Sequence, residues 1–268
     1  MDILNLLLLL LAGGIAGFLA GFFGVGGGII LVPILLYYFD SIHISSLVST
    51  HLAFGTSLLI IVFASLSSAV QYSRNGLVVW KAVVTIGLAS VVGGLLGASI
   101  AGGLEGKVLR QIFAAVVLFS ALRLFAETRK PKVEVMPPLR IPPLVGTGFL
   151  VGMVSSLTGV GGGVLSIPIM HSLLKFPLKK ALGTSSATIV ITALAAGAGY
   201  MFKGWGNSLL QGAGTLGYVD WLHALPLIAG SIPMAAVGAH VANKTKVTLL
   251  KRIFALFLLL IAFRMLLF

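Results

Sequence analysis

Cysteine is absent from the 268-residue chain, and its absence excludes disulfides, thiolate metal sites and any relay of sulfur through a cysteine persulfide. Acidic residues are scarce. The six present are Asp2, Asp40, Glu105, Glu127, Glu134 and Asp220, all near the ends of apolar stretches or in a polar connector. They offer no carboxylate pair for metal binding, glycosyl chemistry or an oxygen-liganded sodium site. The scattered histidines add no catalytic cluster, so we expect no enzyme activity, no cofactor and no bound metal. A nucleotide-binding loop is excluded as well, because no Gly-Lys-Ser/Thr follows the glycine-rich runs.

Charge of either sign is thin. Only 9% of residues are charged, 58% are hydrophobic and the mean hydropathy is +1.12, whereas about a quarter of a soluble protein is charged. The chain reads as an all-α integral membrane protein. Its net charge of +12 sits in short loops flanking apolar segments rather than on one soluble face, which makes it a determinant of topology and not a nucleic-acid surface. The apolar run Ile3 to Phe23 lacks a basic leader and exceeds signal-peptide length, so it is expected to remain in the mature protein.

What the chain has is glycine, 34 residues of it, arranged twice in one pattern. Gly24-Val25-Gly26-Gly27-Gly28 recurs as Gly159-Val160-Gly161-Gly162-Gly163, with Pro33 and Pro168 following at the same distance. Gly55-Thr56-Ser57 returns as Gly183-Thr184-Ser185, and Arg123 has its counterpart in Arg264. The repeat divides the chain into residues 1–126, a polar, proline-rich connector over 127–143, and residues 144–268. Each half reads as one glycine-broken segment followed by three apolar ones. These are Ile3 to Phe39, Ile44 to Tyr72, Lys81 to Gly103 and Lys107 to Ala126, then Leu144 to Leu174, Leu178 to Phe202, Val219 to Ala242 and Val247 to Phe268.

Basic residues decide between two topologies, because cytoplasmic loops carry their excess. If all eight segments crossed, the 18 basic residues would divide equally between the two sides. If each broken segment returns to the face it entered from, all but Lys107, Arg110, Lys203 and Arg264 share one face. The bias favours two inverted four-segment repeats, with both termini outside and the connector in the cytoplasm of a cell (inner) membrane. Ile3 to Phe23, at about 1.5 Å per residue, would as a straight helix be long enough to cross alone, which this topology must accommodate by tilt or bend.

Open backbone is tolerated at membrane depth only where it lines something other than lipid. A half-helix starting after Gly28 or Gly163 begins with unpaired amides and the positive end of its dipole, and glycine lets a ligand approach those amides. Residues Gly24 to Gly28 and Gly159 to Gly163 are therefore candidate anion contacts, at the position where repeat transporters hold substrate. Thr56, Ser57, Thr184 and Ser185 supply hydroxyl donors. His51 and His240 break the pseudo-symmetry and could carry a proton, and Arg123 and Arg264 are candidate cations on the anion path. Gly93 and Gly97 read instead as helix-packing positions.

These residues, the doubled Gly-Val-Gly-Gly-Gly with its proline and the paired Gly-Thr-Ser elements, resemble the TauE/SafE family of membrane permeases, the sulfite exporter family. The resemblance spans essentially the whole chain. It implies transport of sulfur-containing anions such as sulfite, sulfoacetate, thiosulfate and related sulfonates. The partners expected are the small anion and the bilayer, with homo-oligomerisation allowed and nucleic acid not among them. Export fits a membrane potential negative inside, worth about 2.3 kcal/mol per charge per 100 mV. The alternatives are an anion channel and a proton-coupled importer of a small organic acid.

Overall fold

The computed structural model describes residues 3–126, 135–136, 138–210, 214–250, 252–253 and 256, the side chains of 123–126 excepted. The connector residues 127–134, the Arg123 side chain, Arg264 and most of the last apolar segment lie outside that set. Among the described residues no strand forms, only a single bridge between Thr215 and Asp220.

The helices follow the apolar segments. In the first half they are α1 (Ile3–Phe23), α2 (Gly28–Ser41), α3 (Ser46–Arg74), α4 (Trp80–Ala101) and α5 (Gly106–Ala126). The second half contributes α6 (Ile141–Thr158), α7 (Gly163–Pro168), α8 (Leu178–Lys203) and α9 (Trp221–Lys244). Six of them, α1, α3, α4, α6, α8 and α9, are long and apolar enough to cross a membrane. α6 starts three residues ahead of the expected Leu144, because Pro142 and Pro143 occupy its first turn, where a missing N–H is no loss. Pro168 ends α7, and the chain runs on through a π turn over Ile169–Leu173, a local widening that proline favours.

Helix directions follow from registered contacts. Along α1, Gly13 faces Leu227, Gly17 faces Ser231 and Gly21 faces Ala235 of α9, a constant offset, so the two helices are parallel. Along α6, Gly148 faces Ile86 and Gly152 faces Ser90 of α4, again parallel. α3 also runs with α9: Gly55 lies against Tyr218, the Ser67 hydroxyl donates to the Ile232 carbonyl at 2.6 Å, and Gln71 reaches His240. α8 runs with α4, Gly87 meeting Ile191 and Gly199 meeting Ala98. α3 and α8 oppose each other, since Leu58 meets Gly197 while Tyr72 meets Gly183. One set thus holds α1, α3 and α9 and the other α6, α8 and α4, so repeat-related helices point in opposite directions.

The broken segments turn back. Tyr38, near the end of α2, packs on His223 in the first turn of α9 at 5.0 Å between ring centroids, at the end of the bundle where α1 begins. Met170 and Phe176, after α7, share a cluster with Ala82, Ile86 and Leu144, at the end where α4 and α6 begin. The register also explains how a 21-residue α1 fits. Phe23 stands level with Val237 and stops seven residues, about two turns, short of the end of α9 at Lys244.

Without a hydrophobic driving force between helices in lipid, close approach of backbones holds these pairs. A Cβ at Gly13, Gly17 or Gly21 would collide with the backbone of α9, and Cβ atoms at Gly230 and Gly238 would collide with α1. Gly148 and Gly152 of α6, with Gly93 and Gly97 of α4, repeat the arrangement. Valine at Gly21 or at Gly152 should therefore force the pair apart, at about 1–3 kcal/mol. The check is a lower melting temperature of the detergent-purified protein, with the lipid-facing control Gly146→Val unchanged, since nothing lies near a Cβ there.

Candidate functional site

The two glycine runs have the same backbone path. Gly24, Gly26 and Gly27 adopt φ of 64°, 82° and 85°, and Gly159, Gly161 and Gly162 adopt 66°, 79° and 81°, left-handed values that side-chain-bearing residues rarely take. Gly27 and Gly162 are the N-caps of α2 and α7, and neither start has a side-chain cap. The runs meet at the centre of the bundle. A Cβ at Gly28 would stand 2.5 Å from Val160 Cα, and one at Gly163 would press on Val25 Cα. All ten residues of the two runs are buried.

Breaking a helix frees carbonyls on one side and amides on the other. On the carbonyl side, the buried Tyr72 hydroxyl donates to the Gly21 carbonyl at 2.8 Å and the buried Tyr200 hydroxyl to the Ser156 carbonyl at 2.7 Å. Ser57 donates to the carbonyl of Gly159 across the repeat boundary. On the amide side, the Gly27 carbonyl accepts from Ile30 and Leu31, and the Gly162 carbonyl from Leu165 and Ser166. The N–H groups of Gly27, Gly28 and Ile29, and of Gly162, Gly163 and Val164, find no acceptor among the described residues. Buried, unpaired backbone N–H groups are rare in native proteins, and here two sets of them come together with the positive ends of two helices.

Two repeat-related isoleucines cover the centre. Ile61 and Ile189 both flank Gly26 and Gly161, their Cγ2 atoms lying 2.8 to 3.2 Å from the Cβ positions there, while their Cδ1 atoms reach Gly28 and Gly163 respectively. Two buried hydroxyls beside the runs have no hydrogen-bond partner among the described residues: Ser65 Oγ, next to Gly26, and the Oγ of Ser155, whose Cβ adjoins Gly162. The site combines amide and hydroxyl donors with an apolar cover. Such a set suits an acceptor-rich solute without a fixed counter-charge.

The family described as sulfite exporter TauE/SafE matches residues 9–265. The chain belongs to the TauE/SafE family. It is 32% identical over 260 residues, 97% of each chain, to a probable membrane transporter protein of Haemophilus influenzae. It is 30% identical over 193 residues to one of Methanocaldococcus jannaschii, covering 72% of this chain and 71% of the relative. Over 275 residues it is 26% identical to the probable membrane transporter protein YunE of Bacillus subtilis, 96% of each chain. No solved structure matches. This TauE/SafE chain is a multi-pass membrane transporter.

The other site candidates from the sequence are dispersed in this TauE/SafE bundle. Thr56 Oγ1 accepts the Asp220 N–H at 2.9 Å and Thr184 Oγ1 the Val79 N–H at 3.1 Å, so each threonine holds the start of a neighbouring helix. Ser185 Oγ lies 2.7 Å from Ser166 Oγ of α7. His51 bonds through Nε2 to the Ala101 carbonyl at 3.1 Å, at the end of α4, and its Nδ1 has no partner among the described residues. At the repeat position stands Lys179, whose ammonium donates to the Asn243 carbonyl at the end of α9. Cation or N–H, each satisfies a helix C-terminus. His240 lies on the exposed face of α9, 3.4 Å from Gln71.

Sequence reading missed Ile61, Ile189, Tyr72 and Tyr200. Their signal was available, since both pairs recur at the spacing of Gly55 to Gly183. If His51 serves the end of α4, His51→Gln should cost about 1 kcal/mol of stability while the pH dependence of flux stays that of the parent protein, as measured in proteoliposomes. A change in that pH profile would give His51 a proton-handling role instead.

Proposed function

We propose that the protein carries small sulfur-containing anions, of the sulfite, thiosulfate and sulfoacetate kind, across a cell (inner) membrane, binding them where the two glycine runs meet. The observation that carries this reading is the apposition of two uncapped helix starts at the breaks. Tyr72, Tyr200 and Ser57 each take up one carbonyl near the breaks, and the amides of Gly27 to Ile29 and Gly162 to Val164 have no acceptor among the described residues and sit at two facing helix N-termini. An oxyanion needs the donors, and between two helix N-termini it would relieve the repulsion of their like partial charges.

Ser65 and Ser155 complete the donor set, with Ser57 and Ser185 behind them. Ile61 and Ile189 close the site in the conformation described, so transport requires the two halves to move apart on alternate sides. A continuously open channel would not need that apolar cover. The opposed directions of repeat-related helices support inverted repeats over 1–126 and 144–268, with the 127–143 connector cytoplasmic and both termini outside. A membrane potential negative inside drives a bare anion outward whichever way the protein is inserted, so export is the direction it favours.

Two experiments test this. Ser65→Ala and Ser155→Ala remove hydroxyls that have no partner to lose, so stability should hold while thiosulfate or sulfoacetate binding weakens about tenfold each, equivalent to about 1.4 kcal/mol. Unchanged affinity in both variants would move the site elsewhere. Because the chain has no cysteine, single cysteines can be placed at Lys132 and Lys203. The first should react with an impermeant thiol reagent only from the cytoplasm and the second only from outside; the reverse pattern would overturn the orientation.

A further inference from the structure

Asp220 is the only buried acid among the described residues, 2% exposed, at the N-cap of α9. Its Oδ1 accepts the His223 N–H at 3.1 Å and its Oδ2 lies 2.5 Å from His223 Nδ1. His223 is its only ion-pair partner among the described residues. The titratable group facing the pair from α2 is Tyr38, with its ring centroid 5.0 Å from that of His223. α3 presents the uncharged Thr56, which accepts the Asp220 N–H. Just ahead of α9, Tyr218 is turned to His51, 5.1 Å between ring centroids.

An Asp N-cap bonded to the third helical residue is a common structural device, and the repeat supplies an internal control for it. α4 starts at Trp80 as α9 starts at Trp221, and the residues equivalent to Asp220 and His223 are Val79 and Ala82. There Val79 has no side-chain cap, and its N–H is held by Thr184 just as that of Asp220 is held by Thr56. Starting this helix against this threonine therefore does not require an acid or a histidine. The acid–base pair is an addition to one half alone, in a region where burying a carboxylate is costly.

We infer that Asp220 and His223 form a proton-binding site that couples anion movement to protons, an inference that rests on the anion-transport reading above. With one proton shared between them the pair is neutral; with none it carries one negative charge. An anion approaching the breaks meets repulsion from the charged pair and none from the neutral one, so proton and anion bind together and cross together. The link to the site is short. Thr56 holds Asp220, and the next residue, Ser57, bonds the Gly159 carbonyl of the glycine run. A proton carried with a dianion halves the charge moved and leaves the potential driving it outward, whereas a monoanion would move electroneutrally down the combined gradients.

The test uses full-length protein in proteoliposomes enclosing a pH-sensitive dye, with thiosulfate as probe because it does not titrate near neutrality. Exchange of labelled thiosulfate reports transport, and the dye reports proton movement. The parent protein should acidify the lumen when thiosulfate enters. The double variant Asp220→Val with His223→Ala, which copies the uncharged pair at Val79 and Ala82, should keep exchange within about threefold while the dye response falls about tenfold or more, whereas His223→Gln alone, which leaves the Asp220 carboxylate unpaired, should slow exchange. Thiosulfate entry without acidification in the parent protein, or acidification retained in the double variant, would overturn the coupling. If the parent protein exchanged neither thiosulfate nor sulfoacetate, the transport reading would fall and the coupling with it.

Discussion

A helix interrupted inside a bilayer must find partners for the backbone groups the interruption frees, because lipid offers none. In this protein both interruptions meet that constraint in the same incomplete way. Two buried tyrosines, Tyr72 and Tyr200, each reach one carbonyl at the end of a broken helix, and the amide ends are gathered opposite each other with no acceptor among the described residues. The left-handed glycines make the turn, the parallel glycine-packed pairs of α1 with α9 and α6 with α4 hold each hairpin in place, and Ile61 with Ile189 seals the junction. The rest of the bundle serves to hold two helix N-termini in apposition.

The pseudo-symmetry is useful because its exceptions can be read against it. Where both halves keep a feature, as with Tyr72 and Tyr200 or Thr56 and Thr184, the feature belongs to the scaffold. Where the chemistry differs but the job does not, as with His51 and Lys179 at two helix ends, symmetry explains a residue that looks unusual in isolation. Where one half adds a charged pair with no counterpart, as at Asp220 and His223, the scaffold does not account for it.

Much of this was legible in the sequence. The apolar segments carried the all-α membrane class, and the doubled Gly-Val-Gly-Gly-Gly marked where the two helices break, since glycine runs are rare enough in an apolar chain to be informative. α1 seemed too long to turn back only because its length was judged alone; its register against α9, which no sequence pattern reveals, shows where it stops. Ile61 and Ile189 escaped notice because an isoleucine in an apolar helix carries no local signal. Asp220 read as a segment-end acid, and its burial comes from the packing of the start of α9 against Thr56 of α3, a contact between distant parts of the chain. Thr56 and Thr184 were rightly read as paired, but their hydroxyls bond helix starts that lie far away in the chain.

The central claim is that the open amides of both glycine runs hold an anion, and amide resonances report it most directly. In the purified protein with 15N-labelled glycine, titration with thiosulfate or sulfoacetate should shift Gly27, Gly28, Gly162 and Gly163 together along one saturating curve. Saturable binding that leaves those four resonances unmoved would contradict the account.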